Sequence, residues 1–232
     1  MFVQAHLVQH TSVEFVVVDQ VRMSARDMET LVDALLLLPR AGLCMVHCCR
    51  AHNAAPSIAR LLRLSNLTRL EMWYGPYVTT PWVAPVAQAL RDARALMILT
   101  FGFSVTEYPE DFDLIGDALV GHQALRVITL GSMGRTSTLA GRLVAASECQ
   151  LATLRLLSHQ SAAELRPLFA ALPSNTRLAE LEVNIDGQLP AAEVLAAVVS
   201  NASLVALKLN GYSDAASPEQ AQAMSLVAAR AQ

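Results

Sequence analysis

One pattern recurs along this chain and limits its fold more than any other feature. It is L-x-x-L-x-L, with apolar residues at the first, fourth and sixth places of a short segment. It appears as Leu151/Leu154/Leu156, Leu178/Leu181/Val183 and Leu204/Leu207/Leu209. With looser chemistry it continues upstream as Leu125/Ile128/Leu130, Leu96/Leu99/Phe101 and Leu67/Leu70/Met72, then Leu43/Val46/Cys48 and Val13/Val16/Val18. The eight first positions are separated by 30, 24, 29, 29, 26, 27 and 26 residues. Self-similarity at such a period marks a stack of supersecondary units, none of which can bury its apolar face alone.

A chain that is 53% apolar produces some such matches by chance, so a second register is needed. Six residues before the first positions lie Leu7, Leu37, Leu61, Leu90, Leu119, Ala145, Leu172 and Val198, all apolar. Ten residues before them lie Val3, Val86, Ile115, Leu168 and Val194, with Asp33, Ser57 and Gly141 as exceptions. Apolar positions four apart form the inner face of a helix. Each unit therefore reads strand, loop, helix, turn. Ser161-x-x-Glu164 is a capping box, and Ser217-Pro218 sets a cap residue before a proline at the first helical position. Asn175 and Asn201 close successive helices and are expected to act as left-handed terminators. No linker or charge run interrupts the series. The organisation expected is one domain over residues 1–232: a partial repeat or cap at 1–12, repeats over 13–214, and a closing helix at 215–232.

Composition narrows the function classes. Aromatics are 5% and charged residues 16%, with a net charge of −3, so no basic field invites nucleic acid. The longest aliphatic run, Leu35–Leu38, is far shorter than the about 20 residues that span a bilayer, and the first ten residues do not resemble a signal peptide. No membrane association is expected. Four cysteines, three of them at 44, 48 and 49, make no evident disulfide framework and fit a reducing, cytoplasmic compartment.

The strand and helix registers together resemble the ribonuclease-inhibitor-like class of leucine-rich repeats, from Val13 to the end. The resemblance implies an α/β solenoid of about eight repeats, with a parallel sheet on a concave face and helices on the convex one. One departure stands out. The asparagine that follows the strand in that family, eight residues after the first Leu, is replaced here by Val21, Ala51, Gly75, Ser104, Met133, His159, Asp186 and Tyr212. Loop carbonyls and amides there need water or backbone turns instead.

Alternation along a strand sends every second residue outward. The outward positions include Arg69, Glu71 and Trp73, then Thr100, Thr129, Arg155, Glu180 and Glu182. That mixed-sign surface suits another protein better than a polyanion. Eight of the twelve aromatics fall between residues 73 and 112, and Trp73, Tyr74 and Phe103 stand on or just after two adjacent strands. Clustered Trp and Tyr are common anchors of an interface. The candidate partner-binding set is therefore Arg69, Glu71, Trp73, Tyr74, Thr100, Phe103, Thr129, Arg155, Glu180 and Glu182.

Enzyme-like signals are weaker. Cys44, His47, Cys48 and Cys49 lack the C-x-x-C pairs of a zinc site, and Cys48 falls on a core position. Gly131-Ser-Met-Gly134-Arg-Thr136 has the wrong spacing for a phosphate loop. The acidic stretch Glu107–Asp113 has Ile115 and His122 where a calcium loop needs ligands. Glu180 and Glu182 share a strand face but have no His or apolar pocket beside them to make an acid/base pair. No catalytic residue, metal or cofactor is expected. The function expected is a non-catalytic protein-interaction module. The alternative implied by the family is a GTPase-activating protein using a loop arginine, for which Arg22 and Arg135 are candidates by location. Finally, Val3 and Leu7 keep helix register without a preceding strand, under the thin polar cover of Gln4, His6, Gln9 and His10. The N-terminal edge is thus expected to form an end-to-end dimer or to continue into a longer native chain.

Overall fold

The computed structural model describes residues 15–22, 24–37, 43–49, 55–64, 67–72, 80–101, 109–131, 136–186, 191–211 and 218–230. Strand and helix alternate throughout, which makes the protein α/β. Its contacts gather into two compact units, 1–125 and 126–232.

The first unit holds β1 (Phe15–Arg22), α1 (Ala25–Leu36), β2 (Leu43–Cys49), α2 (Ala55–Leu62), β3 (Arg69–Met72), α3 (Thr80–Asp92), β4 (Ile98–Phe101) and α4 (Pro109–Val120). Its strands pair in parallel and in chain order, β1 with β2, β2 with β3 and β3 with β4. The second unit holds β5 (Val127–Leu130), α5 (Thr136–Ala145), β6 (Thr153–Ser161), α6 (Ala162–Ala171), a 3-10 turn over 172–174, β7 (Glu180–Asp186), α7 (Ala191–Ser200), β8 (Ala206–Gly211) and α8 (Pro218–Arg230). There too each strand lies parallel to the next, β5 through β8. Parallel neighbours need a crossover between them, and the helices supply it. Within each unit, successive helices pack on one another in the same order as the strands.

The core follows the two registers. The first pattern positions Leu67, Leu96, Leu125, Leu151, Leu178 and Leu204 are all buried, as are Leu70, Leu99, Ile128, Leu154 and Leu181 behind them. On the helices, Leu61, Leu90, Leu119, Leu172 and Val198 are buried, with Val86, Ile115, Leu168 and Val194 one turn earlier. Two positions depart. Leu37 is 61% exposed and caps α1, because the ladder sets Cys44, not the expected Val46, opposite Leu70. The count from Leu43 therefore runs two residues late, and Leu35 and Leu31 are the buried inner positions. Ala145 is exposed while Leu143 and Val144 are buried, so the inner face of α5 ends one residue earlier than a fixed count from Leu151 places it.

Local signals hold each unit's ends. At α6, Ser161 Oγ accepts from Glu164 N at 3.4 Å while Ser161 N donates to Glu164 Oε2 at 2.7 Å. An equivalent box, with Asp at the third position, opens α1: Asp27 N donates to Ser24 Oγ at 3.2 Å and Ser24 N to Asp27 Oδ2 at 3.0 Å. Both carboxylates are held below their usual range by the serine bonds. α8 begins at Pro218, as the Ser217-Pro218 pair predicts.

Asn175 and Asn201 do tie successive strand–helix pairs of the second unit together, and Asn175 does so by a route other than the one expected. Asn175 has φ −82° and ψ 127°, extended rather than left-handed. Its side chain does the work. Nδ2 donates to Val144 O at 2.7 Å, and Oδ1 accepts from Arg177 N at 2.9 Å and Leu178 N at 2.7 Å. Asn201 repeats the arrangement: Nδ2 reaches Leu172 O and Asn175 O at 2.7 and 2.6 Å, and Oδ1 takes Ser203 N and Leu204 N at 3.0 and 2.7 Å. Arginines brace the same turns. Arg177 donates to the carbonyls of Ser147 and Cys149, and Arg230 to those of Val198 and Asn201.

The missing post-strand asparagines have a structural answer at β6 and β7. There the strands run on, pairing His159 with Asn184, Gln160 with Ile185 and Ser161 with Asp186 after a bulge between Leu156 and His159. Continued ladder bonds thus satisfy backbone that an asparagine ladder serves elsewhere. Asn184 Nδ2 adds a 2.6 Å bond to Leu157 O within the bulge.

Candidate binding face

In the second unit, strand register places the outward side chains side by side. Arg155 on β6 stands opposite Glu182 on β7, which stands opposite Lys208 on β8. Opposite charges in adjacent rows attract. Lys208 Nζ lies 2.7 Å from Glu182 Oε1, and Asn210 Nδ2 donates to the same oxygen at 3.1 Å. Arg155 sits 3.7 Å from Glu180 and 3.8 Å from Glu182. Asn210 also donates to Asn184 Oδ1 at 2.9 Å. The Lys208 bond, and less strongly Asn210 and Arg155, hold the Glu182 carboxylate below its ordinary range despite partial burial. Exposed pairs of this kind contribute at most about 1 kcal/mol each to stability. Their consequence is spatial: three charges of alternating sign, Arg155, Glu182 and Lys208, are fixed in one row with Glu180 beside it on β7, and Arg155, Glu180 and Lys208 are largely open to solvent.

The remaining sequence candidates divide sharply. In the first unit Arg69 is partly exposed and ion-paired with Glu71. Glu71 itself is buried, and so are Thr100 beside it on β4 and, in the second unit, Thr129 on β5. As the chain is folded these three are closed to a partner. Among the described residues, the accessible part of the set is therefore Arg69, Arg155, Glu180 and Glu182. Trp73, Tyr74 and Phe103 lie outside the described residues, as does Arg135. Arg22 ends β1, and Cys44, His47, Cys48 and Cys49 lie on β2, with their side chains outside the description. Lys208, Asn184 and Asn210 complete the face; the same alternation places them outward, although nothing in their chemistry alone singles them out.

Two further sites have bland chemistry. Cys149 is buried, and that burial raises its thiol above the usual range, which keeps it protonated and unreactive. A groove of about 290 Å³ lies at 144–147 and 174–177, where Asn175 and Arg177 are engaged with backbone carbonyls. Among the described residues, no group of three or more His, Cys, Asp or Glu side chains could hold a metal ion. None of the described helices is long and apolar enough to cross a membrane.

No protein-family profile matches the chain, and no curated protein matches it. Among solved structures, one described as "Leiomodin-1 Actin-Binding Site 2 (ABS2)" aligns over 76% of this chain and 86% of that one, at 14% identity and a TM-score of 0.38. Likeness at that level carries no argument about what this chain binds.

Proposed function

We propose that this protein is a non-catalytic, leucine-rich-repeat-type module that binds another protein across the outward face of its strands. Two kinds of observation support the repeat. The side-chain registers coincide, and one backbone contact recurs at the strand entrances. Ala152 N and Thr153 N share Arg126 O; Ala179 N and Glu180 N share Ala152 O; Val205 N and Ala206 N share Ala179 O; in the first unit Met97 N and Ile98 N share Thr68 O. The same donors reach the same acceptor position at each of these steps, as stacked copies of one unit do.

The observation that carries the binding reading is the row Arg155, Glu182 and Lys208, with Glu180 beside it on β7. Charges of both signs fixed in order on a regular sheet steer and orient a protein partner of complementary pattern while adding little to stability. A single-sign ligand finds no net field there.

The test is affinity capture from native lysate with three baits: the unaltered chain, the double variant Arg155→Glu/Glu182→Lys, and Arg166→Glu on the exposed surface of α6. Charge reversal at two strand positions is expected to weaken capture of the main partner by tenfold or more. The helix variant should retain it. Equal retention by both variants contradicts the proposal, as does loss with Arg166→Glu alone.

A further inference from the structure

His122 follows α4 at the place in its unit that Asn175 and Asn201 occupy in theirs, three residues before the first leucine. Its bonds are theirs as well. Nδ1 lies 3.3 Å from Ala124 N and 3.2 Å from Leu125 N, and Nε2 lies 3.0 Å from Ala93 O. The two asparagines likewise accept from the amides two and three residues ahead and donate back to a carbonyl of the preceding turn. Two N–H groups aimed at Nδ1 require a lone pair there, which leaves the proton on Nε2, where it is donated to Ala93 O. The imidazole in this place must be neutral and in one tautomer.

An asparagine amide does not titrate in this range; an imidazole does. We propose that His122 is an acid-releasable latch between the turn after α3 and the turn after α4. Protonation puts N–H on Nδ1, facing two backbone donors, and so breaks the bonds to Ala124 and Leu125 together. Burial is the main influence against the charged form, with the Ala93 carbonyl opposing it more weakly. Among the described side chains, the charged ones on the segments it joins are Arg91, Asp92 and Arg94 at the end of α3, Asp113 and Asp117 on α4, and Arg126 after the turn. All of them are exposed, and none figures among the influences on the imidazole. With its folded pKa depressed, His122 contributes stability in full above the ordinary imidazole range. That contribution is lost as pH falls through about 6.5 toward the folded value.

The test uses the full chain and the variant His122→Asn, which restores the asparagine of the other turns. Nitrogen-15 histidine NMR at pH 7.5 should show a neutral His122 ring with Nδ1 unprotonated. Protection of the Ala124 and Leu125 amides, corrected for intrinsic exchange, should fall at least tenfold between pH 7.5 and 5.5 in the natural chain. It should change less than twofold in His122→Asn. Equal losses in both proteins overturn the latch. So does a His122 ring that carries its proton on Nδ1 at pH 7.5, a result that stands even if the variant does not fold.

Discussion

Truncating Asn201 to alanine removes a side chain that is fully buried and makes four short bonds to backbone. Ser203 N and Leu204 N lose their acceptor, and the carbonyls of Leu172 and Asn175 lose a donor. Asn175 O keeps a 3.2 Å bond from Ser203 Oγ, and water can reach part of the half-buried Ser203. That leaves about two groups, Leu204 N and Leu172 O, stranded among apolar neighbours at about 1–3 kcal/mol each. The expected loss is about 3–4 kcal/mol, which places Asn201→Ala among the severe single substitutions. Urea unfolding followed by circular dichroism reads it as a lower midpoint, and an unchanged slope confirms that compactness is not the cause. Asn201→Asp separates the two halves of the reasoning. The carboxylate still accepts both amides but faces two carbonyl oxygens it cannot donate to. Its folded pKa is therefore raised, so this variant gains stability as pH falls, opposite in sign to the His122 effect. A loss below about 1 kcal/mol for Asn201→Ala refutes the claim that these asparagines tie successive strand–helix pairs together.

Gly141 on α5 faces α6 so closely that a Cβ there would lie 3.0 Å from Pro167 C and Pro167 Cβ. Backbone cannot yield as a flexible side chain does. Gly141→Ala is thus expected to destabilise by about 1–2 kcal/mol in urea, overpacking outweighing the gain of about 1 kcal/mol in helix propensity; a more stable variant contradicts that packing. Trp73→Ala should weaken partner binding by about 2 kcal/mol with the melting temperature nearly unchanged. If it melts early yet binds normally once folded, the aromatic belongs to the core.

The sequence shows its strands and helices because apolar residues repeat at two linked registers, and burial at Leu96, Leu125, Leu178 and Val198 follows from that alone. The fixed count fails at Leu37 because β2 pairs Cys44 rather than Val46 with Leu70, a two-residue slip that keeps the alternation and leaves no mark in hydrophobicity. It fails at Ala145 because the turn between α5 and β6 is longer than the turns leading into β5 and β8. Asn175 is located correctly by pattern, yet its role depends on an extended backbone and a side chain reaching Val144 O, contacts 31 residues apart that no local motif encodes. His122 is harder still: it stands at the same register place as Asn175 and Asn201, but only its bonds to Ala93, Ala124 and Leu125 reveal that an imidazole has taken an amide's role. On the binding face, alternation predicts direction but not depth. It points Thr100 and Thr129 outward as readily as Arg155, yet the two threonines are buried and the arginine is exposed. The sheet's continuation through His159 to Ser161 is hidden by a bulge that breaks the alternation.

The central claim is that a protein partner sits on the outward face of the strands. Carbodiimide footprinting of carboxylates, read by mass spectrometry with and without the captured partner, tests it on the chain itself. Glu180 and Glu182 lie on β7, whereas Glu164 and Glu193 lie exposed on α6 and α7. The account predicts that the partner slows modification of Glu180 and Glu182 several-fold and leaves Glu164 and Glu193 unchanged. Protection of Glu164 and Glu193, with Glu180 and Glu182 modified at their free rates, would contradict it.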